Sequence, residues 1–364
     1  MLERDKAEIF SYLYRKARSQ LIQHNLEKHA LCGEPPDLEE VIETGDRLLK
    51  KLPRWTYRFS IPQGIGVQLY DLHFPSPLTL ASFKSDMNVI DLWMQLGLGG
   101  GCVKTLWEEA RSGNPRPRIQ EIQIDGHSAL INAMRFPGPG LGKSLDELDQ
   151  ADLYRHHKPI GISLGGNNPE EYRRVFLKII STLTPAQIAL TYFELDISSP
   201  ATPEVWAMAH DPSRLYGLLH FMREHSSSAI GVKLSPDMED KQLLAFANEL
   251  QVIPKTYLNL GNTAKRRCEE AGIPRSWIHV GSGGISGPPI YARTREMVNL
   301  VAPTGIHLMA TGGIDSAEKV EELTDLIERH QGHRNLVVGM ATAIVQDMYC
   351  IPRINYKLAE RKST

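Results

Sequence analysis

The segment GIHLMATGGID at residues 305–315 has the pattern of a buried strand that ends in a glycine turn. A short apolar run is followed at once by Thr-Gly-Gly, and a helical pattern begins near Ala317. The next segment, LVVGMATAI at 336–344, repeats this order of strand, small-residue turn and helix. Strand and helix in alternation are typical of an α/β fold with parallel strands.

The same alternation extends back to about residue 78. The spacing predicts eight strands, at 78–81, 101–105, 160–164, 192–197, 230–234, 256–260, 306–310 and 336–339. Amphipathic segments separate them, at 88–96, 169–181, 213–224, 241–250, 317–329 and 342–359. Eight βα units predict a (β/α)8 TIM barrel. A doubly wound sheet is the competing fold, but no complete GxGxxG fingerprint follows a strand.

The first 52 residues carry helical rather than strand periodicity. Apolar residues recur at helical spacing from Ile9 to Ile22, Gly33 ends that pattern, and Asp37 is a plausible cap for a second helix from Leu38 to about Leu52. We interpret this pair as helices packed on the barrel; the alternative is a surface for a membrane or a lipophilic substrate. The sequence therefore divides into a helical N-terminal extension, 1–70, and a barrel, 71–364.

Composition excludes several other classes of protein. The chain of 364 residues is 41% hydrophobic and 23% charged, which is typical of a folded globular protein. A formal net charge of -2 does not indicate a nucleic-acid partner. Apolar runs fall well short of the roughly 18 residues of a membrane span. The four scattered cysteines predict neither a disulfide framework nor a metal site, and we expect a reducing, cytoplasmic location.

Polar residues follow the predicted strands, where a barrel has its active site. Two of them are lysines, Lys104 and Lys233, whose burial is costly unless an anion compensates the charge. The glycine turns after strands seven and eight can bring backbone N–H groups close to an anion, at the recurrent phosphate site of this fold. A ligand is favoured over the alternatives that the lysines pair with carboxylates and that the glycines only form turns.

Several stretches in order resemble the dihydroorotate dehydrogenase family of FMN-dependent barrels. They are GNPRPR at 113–118 with ALINAM at 129–134, FELDISSP at 193–200, VKLSPD at 232–237, GNT at 261–263, GGISG at 283–287 and TGG at 311–313. The GNP stretch and the Val-Lys-Thr strand end resemble the soluble class 1. The serine in the SSP loop and the helical extension resemble the membrane-associated class 2.

The resemblance implies a role for individual residues. Ser199 is the implied base, and Lys104 is implied at the flavin and the substrate. The implied FMN-binding residues are Ala81, Ser82, Lys104, Thr105, Asp196, Lys233, Thr263, Ser286, Gly287, Thr311, Gly312, Gly313, Ala341 and Thr342. The implied substrate-binding residues are Lys104, Asn132, Met134, Arg135, Phe136 and Asn262. The implied reaction is oxidation of dihydroorotate to orotate in pyrimidine biosynthesis, by proton abstraction and hydride transfer to the flavin.

Three residues depart from the family pattern, all of them around the substrate. Asp196 and Ala201 stand where relatives have asparagine, and Arg135 stands where they have glycine. Arg135 can either clamp a substrate carboxylate or neutralise Asp196. The alternatives are therefore a flavin barrel for another cyclic imide or enoate, and a flavin- or phosphate-binding barrel without turnover. The electron acceptor stays open among fumarate, quinone, NAD and oxygen, and class-1 relatives suggest a homodimer.

Overall fold

The computed structural model describes residues 3–197 and 203–362. Its centre is a closed barrel of eight parallel strands. In order around the barrel these are β3 (Leu78–Leu80), β4 (Gly100–Leu106), β7 (Ile160–Leu164), β8 (Thr191–Asp196), β9 (Ile230–Leu234), β10 (Thr256–Leu260), β13 (His307–Thr311) and β14 (Val337–Met340). The barrel closes where β14 pairs with β3, with Val338 opposite Leu78. The predicted (β/α)8 barrel is confirmed, and each predicted strand lies within a residue or two of an observed one.

Helices surround this barrel. They are α1 (Glu3–Cys32), α2 (Leu38–Leu49), α3 (Met87–Gln95), α4 (Leu141–Ala151), α5 (Pro169–Thr182), α6 (Pro185–Ile188), α7 (Pro203–His210), α8 (Ser213–His225), α9 (Asp240–Leu250), α10 (Tyr291–Val301), α11 (Ala317–Gln331), α12 (Thr342–Gln346) and α13 (Cys350–Lys362). Their apolar faces pack against strands that are buried along their whole length, for example β7, β8 and β9. Such strands are typical of parallel sheets covered on both faces.

The single helix predicted over 342–359 is wrong, because the chain forms α12 and α13 there. The break falls at Asp347, whose backbone is extended. Its carboxylate accepts hydrogen bonds from Ser11 Oγ (2.6 Å) and Arg353 Nη1 (2.9 Å). Side-chain acceptors of this kind compete with helical hydrogen bonding. The break therefore ties the end of the barrel chain to α1.

Helices α1 and α2 pack on the barrel, as predicted. Asp37 caps α2 by accepting from the Glu39 backbone N–H (3.0 Å), which satisfies one of the free donors at a helix start. Phe10 of α1 stacks on Tyr349, with ring centroids 5.4 Å apart. Glu39 of α2 pairs with Arg118 of the barrel (2.7 Å). Apolar packing thus holds α1 against the segment around Tyr349, and an ion pair holds α2 against the segment around Arg118.

Two small antiparallel sheets were absent from the sequence prediction. One is the hairpin of β1 (Val67–Leu69) and β2 (Leu72–Phe74). The other has the order β11-β12-β6-β5 and consists of β5 (Ile119–Ile124), β6 (His127–Asn132), β11 (Ala264–Arg267) and β12 (Ser282–Ser286). Its strands come from long segments after β4 and β10, the end of the barrel that carries active sites. This second sheet is therefore a wall of the mouth.

No helix within 3–197 and 203–362 combines the length and the apolarity that a membrane crossing requires. The four cysteines are free thiols, and three of them are buried.

Candidate functional site

A cavity of about 1610 Å³ opens at the carboxyl ends of the barrel strands. Every residue named above as FMN- or substrate-binding lines it. The residues come from strand ends, the mouth sheet and the loops before α10, α11 and α12. Ser199, the implied base, and Ala201 lie outside the described residues. The structure thus brings the predicted residues together, while their roles toward a ligand stay predictions.

A glycine cradle occupies the side of the cavity next to β13 and β14. Gly312 (φ +137°) and Gly313 (φ +70°) adopt backbone conformations that favour glycine. A Cβ at Gly313 would lie 2.7 Å from Gly287 O and 2.8 Å from the backbone N of Tyr291. Thr342 Oγ1 donates to Ser286 Oγ (2.8 Å) beside them. Such crowded backbone, free of side chains, has the form of a phosphate-binding turn.

The floor of the cavity carries an ion cluster of Lys233, Glu194 and Asp196. Lys233 Nζ lies 3.8 Å from Glu194 Oε1 and 4.0 Å from Asp196 Oδ2. All three side chains are buried, with at most 7% exposed. Burial opposes the charged amine, but Asp196 and Glu194 outweigh it and raise the pKa of Lys233. Lys233 is therefore a fixed cation at the centre of the barrel mouth.

Hydrogen bonds link this cluster to the glycine cradle. Lys233 Nζ donates to Ser82 Oγ (2.9 Å), and Ser82 Oγ donates to Glu194 Oε1 (3.1 Å). Asn259 Nδ2 donates to Glu194 Oε2 (2.5 Å), while Thr311 Oγ1 donates to Asn259 Oδ1 (2.9 Å). Sequence reasoning missed Glu194 and Asn259. The available signal was strand alternation, since Glu194 lies two residues before Asp196 and shares its face.

Lys104 differs from Lys233 in its surroundings. Among the ion pairs of residues 3–197 and 203–362, none includes Lys104. Burial, together with the nearby cations Arg118 and Lys84, lowers the pKa of Lys104 to about 8. Lys84 itself pairs with Asp46 of α2. Burial and the neighbouring cations disfavour the charged form of Lys104, so an anionic group of a bound ligand would stabilise that charge.

The two predicted asparagines both line the cavity beside the mouth sheet. Asn132 ends β6, and its Nδ2 donates to Gly284 O (3.3 Å). Asn262 Oδ1 accepts from the Thr263 backbone N–H (2.8 Å). Each amide supplies both a donor and an acceptor group. They fit a planar ligand with alternating N–H and C=O groups along its edge.

The hypothesis that Arg135 neutralises Asp196 is wrong. Arg135 is exposed, whereas Asp196 is buried, and among the ion pairs of the described residues Asp196 is joined to Lys233 rather than to Arg135 or Lys104. Arg135 and Phe136 both have positive φ values, +56° and +57°. The Phe136 ring packs on Trp107, with centroids 5.3 Å apart. Arg135 also lines the cavity, so it can still contact a bound ligand.

An apolar corridor continues the cavity beneath α1 and α2. Its lining from these helices includes Phe10, Leu13, Tyr14, Leu21, Ile42 and Leu49. Arg18 also lines the corridor, with Nη2 2.7 Å from Glu121 Oε2. The corridor suits a flat, lipophilic molecule that approaches the barrel mouth from the helices.

The closed barrel and the polar cavity at the carboxyl ends of its strands define the class: a (β/α)8 barrel whose cavity lies where enzymes of this fold have their active site. The comparison with protein families is more specific. The family model described as Dihydroorotate dehydrogenase matches residues 65–361. The chain belongs to the dihydroorotate dehydrogenase family, a family of flavoenzymes that oxidise the CH–CH bond of dihydroorotate to give orotate. The predicted family and enzyme class are confirmed.

Individual relatives agree with this assignment. The chain is 29% identical over 296 residues to a "Dihydroorotate dehydrogenase (quinone)" of Thermus thermophilus, in a match that covers 79% of this chain and 80% of the relative. It is 27% identical over 269 residues to the protein of that name from Clavibacter sepedonicus, covering 72% and 76%. The crystal structure of DHODH from Eimeria tenella in complex with ferulenol has a TM-score of 0.74 at 19% identity, covering 90% and 92%. That last likeness concerns the fold.

Proposed function

We propose that this protein holds FMN in the barrel mouth, oxidises dihydroorotate with it and passes the electrons to a lipophilic quinone. The observation that carries the proposal is one continuous cavity that joins the glycine cradle, Lys233, the two asparagines and the apolar corridor. The glycine cradle suits a phosphorylated cofactor, the asparagines suit a polar substrate, and the apolar corridor suits a lipophilic acceptor.

The cradle fits the FMN phosphate, and the cavity floor fits its ring. Gly287, Gly312, Gly313, Ala341 and Thr342 would hold the phosphate through backbone N–H groups and one hydroxyl. Ala81, Ser82, Thr105, Asp196, Thr263, Ser286 and Thr311 would line the ring and ribityl chain. Bound flavin supplies the hydride acceptor of the reaction. Lys233 would compensate the negative charge that reduction places on the ring.

Residues on the other side of the mouth would orient dihydroorotate. Lys104 and Arg135 supply cations for its carboxylate, while Asn132 and Asn262 would hydrogen-bond its ring amides. Met134 and Phe136 would pack beside it. By resemblance Ser199 removes the proton; a serine is a weak base and needs imposed geometry and a proton path.

The quinone acceptor follows from the names of the relatives and from the corridor. Both curated relatives above carry the word quinone in their names. The corridor offers aromatic and aliphatic walls, and Arg18 supplies a cation at a polar spot. A quinone has the matching form of an apolar ring with carbonyl acceptors. The homodimer and the cytoplasmic location stay predictions.

A corridor variant tests this assignment. Ala17 of α1 also lines the corridor. We expect Ala17→Trp to fill part of the corridor and to slow reoxidation of the flavin by a short-chain ubiquinone at least tenfold. The rate at which dihydroorotate reduces the flavin should be unchanged, because we propose that dihydroorotate binds in the barrel mouth and not in the corridor. Lys16→Trp is the matched control, because Lys16 is the preceding exposed residue of the same helix and is not part of the corridor lining. Equal quinone rates in the two variants, or preferential reoxidation by fumarate or NAD, would overturn the quinone assignment.

A further inference from the structure

Glu194 is a buried carboxylate that the reaction described above does not use. Only 1% of the residue is exposed, and it lies on β8 with its side chain inside the barrel. Its side-chain partners are Lys233 on the neighbouring strand β9, Asn259 on β10 and Ser82 after β3. An ionisable group placed so deeply needs partners that compensate its burial.

Among the described residues, Glu194 accepts hydrogen bonds from Ser82 and Asn259. Lys233 can only donate, so Ser82 accepts from it and turns its own proton to Glu194 Oε1. The Asn259 amide nitrogen faces Glu194 Oε2, and the amide oxygen accepts a hydrogen bond from Thr311. Both carboxylate oxygens therefore face donors. This is the arrangement of an ionised carboxylate, which is an acceptor only.

The floor of the cavity thus sets two carboxylates against one cation. Asp196 Oδ2 lies 4.0 Å from Lys233 Nζ, and Glu194 Oε1 lies 3.8 Å from it. Cys102 is buried near these three charged groups, and burial raises the pKa of its thiol, so the thiol is neutral. A cation beside the flavin ring favours the reduced form, whose charge is negative. Carboxylates that compensate this cation oppose that effect.

We propose that Glu194 is a positioning residue that holds Lys233 in place through Ser82 and lowers the reduction potential of the bound flavin. The inference rests on the proposed function in one respect, that flavin lies against Lys233. In this role, Glu194 would influence how readily the reduced flavin transfers electrons to the acceptor. Asn259 and Thr311 extend the same network to the glycine cradle.

The reduction potential of bound flavin in Glu194→Gln is the first test. We expect the ratio of reduced to oxidised flavin at a fixed applied potential to rise at least tenfold, which is about 30 mV for a two-electron couple. Glu194→Asp keeps the charge and should restore most of the wild-type value. Glu108→Gln, which removes an exposed partner of Arg174, is the matched control and should leave the potential unchanged. A potential that is unchanged or lower in Glu194→Gln overturns the proposal.

A second measurement needs no flavin. In flavin-depleted protein, the pH midpoint of amine labelling at Lys233, followed by mass spectrometry, should fall in Glu194→Gln and not in Glu108→Gln. An unchanged midpoint overturns the link between Glu194 and Lys233, even if Glu194→Gln no longer retains flavin. Wild-type protein that binds no flavin would overturn the proposed function instead, and the labelling result would still decide on the Glu194–Lys233 contact.

Discussion

Replacing Gly313 by alanine tests the phosphate cradle, because the chain offers a closely matched control. Gly313 and Gly332 have nearly the same backbone angle, φ +70° and +71°. Left-handed backbone disfavours any side chain by about 1–2 kcal/mol, so both substitutions should lower the free energy of unfolding by that amount. A Cβ at Gly332 meets nothing within 4 Å. The difference between the two variants therefore isolates the surroundings of Gly313.

At Gly313 the new Cβ would contact three atoms at 2.7–2.8 Å: Gly287 O, Tyr291 Cβ and Tyr291 N. To remove this overlap, the Gly313 turn and the turn that contains Gly287 must separate by roughly half an ångström. A gap of that size already weakens a close contact substantially. Loss of one hydrogen bond to a charged phosphate costs about 1.5–3 kcal/mol. We therefore expect FMN to bind Gly313→Ala at least tenfold more weakly than it binds Gly332→Ala, since about 1.4 kcal/mol is tenfold.

The assay is a titration of flavin-depleted protein with FMN, followed by quenching of flavin fluorescence. Chemical denaturation of the same flavin-free samples reports the strain that both variants share. Equal FMN affinities for Gly313→Ala and Gly332→Ala would refute the assignment of this turn to the phosphate. A larger loss of stability in Gly313→Ala with full FMN affinity would show that the turn has only a structural role.

Three further predictions concern the mouth. The pKa of Lys104 near 8 means that the amine loses its charge above that pH, so kcat/KM for dihydroorotate should fall there. Lys104→Arg should move this fall to higher pH, and identical pH profiles would contradict the role of Lys104. Asp196→Asn with Ala201→Asn rebuilds the amides of the family pattern and should raise kcat/KM for dihydroorotate at least tenfold, about 1.4 kcal/mol of barrier; no gain in steady-state kinetics would refute the idea of a diverged substrate layer. Lys233→Ala leaves Glu194 and Asp196 without their cation, so chemical denaturation should show that the free energy of unfolding falls by about 3–5 kcal/mol. The reduction potential of the bound flavin should fall as well. If neither quantity changes, Lys233 neither compensates the carboxylates nor acts on the flavin.

The barrel could be predicted because its strands are continuous short apolar runs separated by helical patterns. Strand β12 could not be, because SGGIS at 282–286 contains two glycines and no alternation of apolar residues. Its pairing with β6 depends on segments about 150 residues apart, which local patterns do not register. The break at Asp347 likewise depends on a hydrogen bond from Ser11, far away in the sequence.

The cavity-lining residues were predictable for a simpler reason. Residues after barrel strands face one mouth, so Lys104, Lys233 and the Gly312–Gly313 turn follow from topology and composition. Side-chain pairing was less predictable. Arg135 was a reasonable partner for Asp196 by charge. In the structure, however, Arg135 is exposed in a turn with two successive positive φ values, and Lys233 lies beside Asp196. No sequence pattern indicates that turn.

Anaerobic addition of dihydroorotate to the purified protein tests directly whether this chain holds FMN and reduces it with that substrate. We expect bound FMN, identified by chromatography after release, at one per chain. We also expect bleaching of the flavin's visible absorbance, with one orotate formed for each flavin reduced. Absence of bound flavin, or flavin that dithionite bleaches and dihydroorotate does not, would contradict the proposed function.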